Sequence, residues 1–315
     1  MKRLLFRTLL TMLTLSAPAH ALDVQGHRGA RGLFPENTLP AFERALELGV
    51  TTLELDCGVT KDGIVVIVHD RTLNPDVTRD AKGYWLEGGP AIAHLTYAEL
   101  SQYDVGRLRP HSSYARRFPR QQSIDGTRVP RLADLFALVS ARGNQSVHFN
   151  IETKISPLAE SETVSPEAFA EALLRTVAAA KLEPRVTIQS FDWRTLQVVQ
   201  RLAPHIPTVY LTAEQGSPNN ISASEASPWT AGFQVTANGG SLPRTIKAAG
   251  GAVWSPDYRD LTLTRLREAQ RLGLKVVVWT VNSEADMRRL IAWGVDGIIS
   301  DYPDVLVRVA VGAPK

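Results

Sequence analysis

Glu54 and Asp56 lie in the run Thr51-Thr52-Leu53-Glu54-Leu55-Asp56-Cys57, where apolar and polar residues alternate. Side chains two apart on a strand share a face, so both carboxylates point the same way. Two acids held side by side repel unless a cation or a shared proton compensates. A solvated edge strand carries the same pattern when it stands alone. Here His27 precedes the pair and His69 follows it. In that company Glu54 and Asp56 read as ligands of one hard divalent cation, Ca2+ or Mg2+, since such ions prefer carboxylate oxygens.

The turn between Cys57 and Ile64 decides where His69 goes. It is centred on Lys61-Asp62-Gly63, and Asp-Gly between two apolar runs signals a hairpin. A parallel return needs a dozen or more residues, so residues 64–68 must run back antiparallel and deliver His69 to the level of the two acids. His27 ends the first apolar run, 22–26. A lone histidine at a strand end is commonly structural, whereas two converging on a carboxylate pair suit a general acid and a general base. Arg28 beside them matches phosphoryl oxygens with its planar fork. The spacing Gly26-x-x-Gly29-x-x-Gly32 is not that of a dinucleotide loop.

Taken together, His27-Arg28-Gly29, Pro35-Glu36-Asn37-Thr38 with Ala41-Phe42, Glu54-Leu55-Asp56, Thr60-Lys61-Asp62-Gly63 and His69-Asp70 resemble the glycerophosphodiester phosphodiesterase family, in the exported bacterial form. Further elements extend the likeness: Glu152-Thr153-Lys154, Gln189-Ser190-Phe191 and the stretch from Asp296 to Pro303. The resemblance implies that Glu152 is a third carboxylate ligand and that Lys154 faces phosphate. It implies a glycerophosphodiester as substrate, with sn-glycerol 3-phosphate and an alcohol as products. Phe191 and Trp279 are candidate substrate contacts, with packing at the barrel rim as the competing reading. Asp192 and Asp301 read as helix caps or loop acids and stay outside the catalytic set. One departure from the pattern is Cys57-Gly58, where a glycine is expected to loosen the arm that carries His69. A lysophospholipase D-type enzyme and a non-catalytic phosphodiester-binding protein are the alternatives.

These residues need a frame that brings strand ends together. Apolar runs at 24–27, 52–57, 147–152, 186–190, 208–212, 252–255, 275–281 and 297–300 alternate with amphipathic stretches at 39–48, 132–140, 166–180, 193–202, 242–249, 264–272 and 284–293. Strands alternating with helices imply parallel βαβ units. With the 64–68 arm set aside the count is eight, the number for a (β/α)8 TIM barrel, whose reactive residues gather at the C-terminal strand ends. Glu152, Phe191 and Trp279 all fall there.

Residues 1–21 combine Lys2, Arg3 and Arg7 with an apolar run and Ala19-His20-Ala21, which reads as a secretory signal cut after Ala21. A periplasmic or secreted product is therefore expected, with one phosphodiesterase barrel domain over 22–315. The whole sequence has 35 basic and 32 acidic residues; losing three basic residues leaves 32 against 32. A near-neutral domain gives no support to nucleic-acid binding. Cys57 is the single cysteine, so no internal disulfide forms. An insertion over about 71–131 exceeds an ordinary loop. Its part from 105 to 131 holds seven arginines and one acid. It reads either as a solvated loop, slightly the better reading, or as a basic rim attracting phosphodiesters or membrane lipid headgroups. The connection 213–251 is a candidate lid, and the oligomeric state is left open.

Overall fold

The computed structural model describes residues 21–215, 219–222 and 224–312. The expected signal segment, Ala21 apart, lies outside the described residues. Nine strands form one sheet: β1 (Asp23–Gly26), β2 (Thr52–Val59), β3 (Val65–Ile67), β4 (His148–Thr153), β5 (Val186–Ser190), β6 (Thr208–Thr212), β7 (Val253–Pro256), β8 (Lys275–Val278) and β9 (Gly297–Ser300). β1 pairs in parallel with both β2 and β9, which closes eight of the strands into a ring; β3 lies outside it. The helices are α1 (Leu39–Leu48), α2 (Tyr97–Leu100), α3 (Ser113–Arg117), α4 (Leu132–Ala141), α5 (Pro166–Ala180), α6 (Trp193–Leu202), α7 (Leu242–Ala248), α8 (Leu263–Arg271), α9 (Glu284–Trp293) and α10 (Pro303–Val311). This is the expected (β/α)8 barrel with an arm and an insertion. The run expected to be a strand over 275–281 stops at Val278, and beyond it Trp279 makes only an isolated bridge with Asp257.

The helices start and stop where local chemistry dictates. Thr38 caps α1 by accepting from the Ala41 amide, and Gly49 ends it in the left-handed region at φ 80°. Ser165 and Pro166 open α5 in the same way. The strands alternate so that Leu53, Leu55, Phe149, Ile151 and Ile188 join Phe42, Leu135, Phe169 and Leu196 in the core between barrel and helices. Their neighbours therefore face the barrel interior. There Asn150 donates to Gln25 (3.0 Å) and Gln189 (2.9 Å), and Gln189 donates to Glu54 at 2.6 Å. A buried polar layer of this kind is stable only when its members satisfy one another.

β3 runs antiparallel to β2, pairing Cys57 with Ile67, Gly58 with Val66 and Val59 with Val65. Gly63, at φ 78°, makes the turn, and its amide donates to the Thr60 carbonyl at 2.9 Å. The ladder continues through the Val68 amide to the Asp56 carbonyl at 2.9 Å. His69 thus falls opposite Leu55, between the two acids in register. The insertion builds a second small core from Val66, Leu73, Ile92, Leu100 and Val129. Its last residues grip the outer edge of β3: the Ile67 amide donates to Pro130 at 2.8 Å, and Val66 bridges Arg131.

Gly58 does not loosen the arm. It is paired within the ladder, and a β-carbon there would stand 3.1 Å from Val68 Cγ1 and 3.3 Å from Ile92 Cγ2. The glycine makes room for the insertion to pack on the arm. Gly58→Val is expected to cost about 1–3 kcal/mol through overpacking and to expose residues 71–131 to protease. Urea unfolding and limited proteolysis check this; unchanged stability would mean that Val68 and Ile92 move aside freely.

Candidate active site

Three buried carboxylates meet at the C-terminal end of the barrel. Glu54 and Asp56 leave β2 on its inner face, and β4 sets Glu152 beside Asp56 in register. Their exposures are 2%, 1% and 6%, and one oxygen from each lies within 4.8 Å of the others. Cations touch part of this cluster. Arg28 Nε is 3.2 Å from Asp56 Oδ2, although off the line of a hydrogen bond. Lys154 Nζ is 2.7 Å from Glu152 and 3.7 Å from Asp56. Burial would raise Asp56, but Arg28, His69 and Lys154 hold it well below the carboxylate range. Burial and the Asp56 charge raise Glu54; burial also raises Glu152, against the pull of Lys154. The protein alone thus leaves this trio short of positive charge. An all-oxygen, buried, anionic cluster fits a hard divalent cation. The oxygens of Glu54 are presented by Gln189 and, through its amide, by Arg28 at 2.9 Å.

The two histidines flank the cluster, each held by an acid. His27 Nδ1 is 2.6 Å from Asp301 Oδ1, and His27 Nε2 is 3.9 Å from Glu54. Burial tends to raise Asp301, yet Arg31 and His27 keep it ionised. An ionised carboxylate only accepts, so the Nδ1 proton lies between His27 and Asp301 and Nε2 is left with its lone pair. Burial, reinforced by Arg31 and opposed by Asp301, lowers His27 to about 4. It is neutral near pH 7. His69 Nδ1 meets Asp70 at 2.7 Å, and Asn74 braces the other Asp70 oxygen at 2.6 Å. Burial, then Arg28 and Lys154, lower His69 as well.

The sequence places Asp301 among the helix caps or loop acids, and the structure gives it a larger part. It is buried, and besides His27 it accepts from Arg31 (2.8 Å) and Asn282 (2.7 Å). Its sequence signal was its place just past the end of β9, which lies beside β1 only once the barrel closes. Asp192 does cap α6, as expected. Glu36 and Asn37 were also missed as site residues: Glu36 pairs with Arg28 at 2.8 Å, and Asn37 donates to Asp56 at 2.9 Å. Arg28 has φ 50° and the next residue, Gly29, φ 82°. A β-carbon on Gly29 would strike the Ala41 backbone at 2.7 Å, so the tight turn that aims Arg28 inward needs glycine there.

A cavity of about 780 Å³ opens above these groups, lined by His27, Arg28, Glu54, His69, Glu152 and Lys154 at its base. Phe191 and Trp279 form one wall, edge to face with centroids 5.3 Å apart. Trp279 is also tied to the rim, because its Nε1 donates to the Ser255 carbonyl at 2.8 Å. Trp279 thus packs at the rim while its side chain lines the cavity. Trp229 brings the 213–251 connection to the cavity, while Ile221 and Val235 of that connection are anchored in the core. Of the seven arginines between 105 and 131, Arg107, Arg109, Arg120 and Arg131 pair with carboxylates. Arg116 and Arg128 donate to backbone carbonyls. Arg117 lines the cavity.

Binding of a divalent cation to the carboxylate trio should stabilise the fold by about 2.7 kcal/mol at a hundredfold excess over Kd. Added Ca2+ or Mg2+ is expected to raise Tm, and Glu54→Gln to remove the rise; an equal rise in that variant would place the ion elsewhere.

The glycerophosphoryl diester phosphodiesterase family profile matches residues 27–305. A glycerophosphodiester phosphodiesterase of Caldanaerobacter subterraneus is 30% identical over 286 residues, 91% of this chain and 96% of that protein. A solved structure from Silicibacter pomeroyi superposes with a TM-score of 0.81 at 38% identity, covering 94% of each chain. An Oleispira antarctica phosphodiesterase, solved in complex with its product sn-glycerol-3-phosphate, shares the fold at a TM-score of 0.67 and 22% identity, over 92% of this chain and 97% of that one. The chain belongs to the glycerophosphoryl diester phosphodiesterase family, and it is a phosphodiester hydrolase on a (β/α)8 barrel.

Proposed function

We propose that this protein hydrolyses glycerophosphodiesters to sn-glycerol 3-phosphate and an alcohol, with His27 and His69 moving the protons. The observation that carries this reading is the placing of two acid-braced histidines either side of a buried carboxylate trio, with Arg28 and Lys154 at the same cavity base. The product seen with the Oleispira antarctica relative supports the choice of substrate class.

Glu54, Asp56 and Glu152 would hold one Ca2+ or Mg2+, which when bound supplies charge stabilisation to the phosphoryl oxygens. Arg28 and Lys154 bind those oxygens and neutralise charge as it develops. Each histidine lines the cavity and has Nδ1 fixed by a carboxylate, which leaves Nε2 for the reaction. One Nε2 takes the proton of the attacking oxygen, and the other histidine, protonated, gives its proton to the departing alkoxide as its P–O bond breaks. The attacking oxygen is that of water or of the neighbouring glycerol hydroxyl; the latter passes through a cyclic phosphate, which trapping would reveal. Phe191 and Trp279 shield the glycerol side from water. The sequence of residues 1–21 supports export, and with it a reaction in the periplasm or outside the cell.

Chelator should stop release of sn-glycerol 3-phosphate from glycerophosphocholine, and Ca2+ or Mg2+ should restore it. Metal-independent release would remove the ligand assignment, and cleavage of lysophospholipid alone would favour the lysophospholipase D alternative. His69→Ala is expected to lower kcat by about 10²–10⁴ while divalent-cation binding persists. Asp301→Asn leaves His27 in place but frees its tautomer, so kcat should fall by about 10² or more with KM little changed; a KM effect alone would make Asp301 a purely structural residue.

A further inference from the structure

Five cationic side chains line the cavity: Arg28, Arg31, Arg71, Arg117 and Lys154. Four are matched by acids, Arg28 with Glu36 and Asp56, Arg31 with Asp301, Arg71 with Glu162 and Lys154 with Glu152. Among the described residues Arg117 has no carboxylate within salt-bridge distance. Its guanidinium is held instead against two aromatic faces, 5.7 Å from the Tyr114 ring centre and 5.6 Å from that of Phe118. The residue is exposed, and contact with the ring faces leaves its N–H groups available to an anion.

The same two rings reach inward to the base of the cavity. The Tyr114 hydroxyl donates to Glu36 and lies 3.4 Å from Arg28 and 3.3 Å from Arg31. Phe118 carries Arg31 at 4.6 Å from its centre. Cations and rings alternate from Arg28, at the reacting phosphate, out to Arg117 at the rim. Tyr114 and Arg117 are three apart on α3, hence on one face. Arg117 therefore stands about one tyrosine ring further out than Arg28.

We infer that Arg117 is a specificity-determining residue that binds a second anionic group on the alcohol portion of the substrate, one short linker beyond the scissile phosphodiester. This rests on the phosphodiesterase reading above. It selects glycerophosphodiesters whose alcohol carries a further phosphate or phosphodiester over those with a neutral or cationic alcohol. The Arg117 contact forms with the ground state as well as the transition state, because it is remote from the breaking bond. Its effect therefore falls on KM more than on kcat.

The test compares bis(glycerophospho)glycerol with glycerophosphoglycerol, whose alcohols differ by one glycerophosphoryl group, and with glycerophosphocholine. In the unaltered enzyme kcat/KM per scissile bond should be about fivefold higher for the first than the second. Glycerophosphocholine should be poorer still. The ratio should shrink as NaCl is raised from 50 to 500 mM, since the rim is open to screening. Arg117→Gln should bring it close to one, Arg117→Lys should keep part of it, and Arg117→Glu should invert it, each through KM. Turnover of all three substrates with a flat ratio in the unaltered enzyme, or a ratio unmoved by Arg117→Gln, overturns the inference and leaves the phosphodiesterase intact. Failure to cleave any of the three overturns both.

Discussion

Three carboxylates within one small volume, all withdrawn from water, repel one another strongly, and much of the molecule answers that repulsion. β2 supplies two of them because an inward face repeats every second residue, and β4 supplies the third through a fixed parallel register. Arg28 and Lys154 compensate part of the charge from the side chains nearest in space. Asn37 and Gln189 present amide N–H groups that hold individual oxygens in place. Beneath them the Gln25–Asn150–Gln189 layer fixes Gln189 from below. Replacing any one of these supports would leave a buried charge underserved, and that costs more than an average contact returns.

The parts of the site that were legible in the sequence are those set by local geometry. Glu54 and Asp56 follow from alternation, and His69 follows from the length of one hairpin. Glu152 and Lys154 came through family likeness, since nothing in their spacing says which strand lies beside β2. Asp301 was passed over for a physical reason: its bond to His27 joins residues 274 positions apart. That contact exists only because β9 closes against β1. Tyr114 was equally hidden, because it arrives from an irregular insertion whose path no periodicity describes. The same limit explains Gly58, whose neighbour Ile92 comes from that insertion.

The two histidines are served by different parts of the chain. His27 is braced from the last strand of the barrel, His69 from within its own arm by Asp70 and Asn74. Each imidazole is thus positioned independently, and the site needs the barrel closed on one side and the arm folded on the other. Glu36, tied to Arg28 and to Tyr114, links both to the insertion.

β3 is only three residues long, and all three, Val65, Val66 and Ile67, are apolar and buried. Such a strand at a sheet margin would offer unpaired backbone groups and a sticky sequence to any passing chain. The insertion prevents this. Pro130 and Arg131 occupy its outer edge, and the side chains of Leu73, Ile92 and Val129 cover it. The segment that decorates the active-site mouth therefore also covers the outer edge of the arm. A shortened version of this barrel, trimmed to its catalytic residues, would keep every reactive group yet expose an edge prone to aggregate.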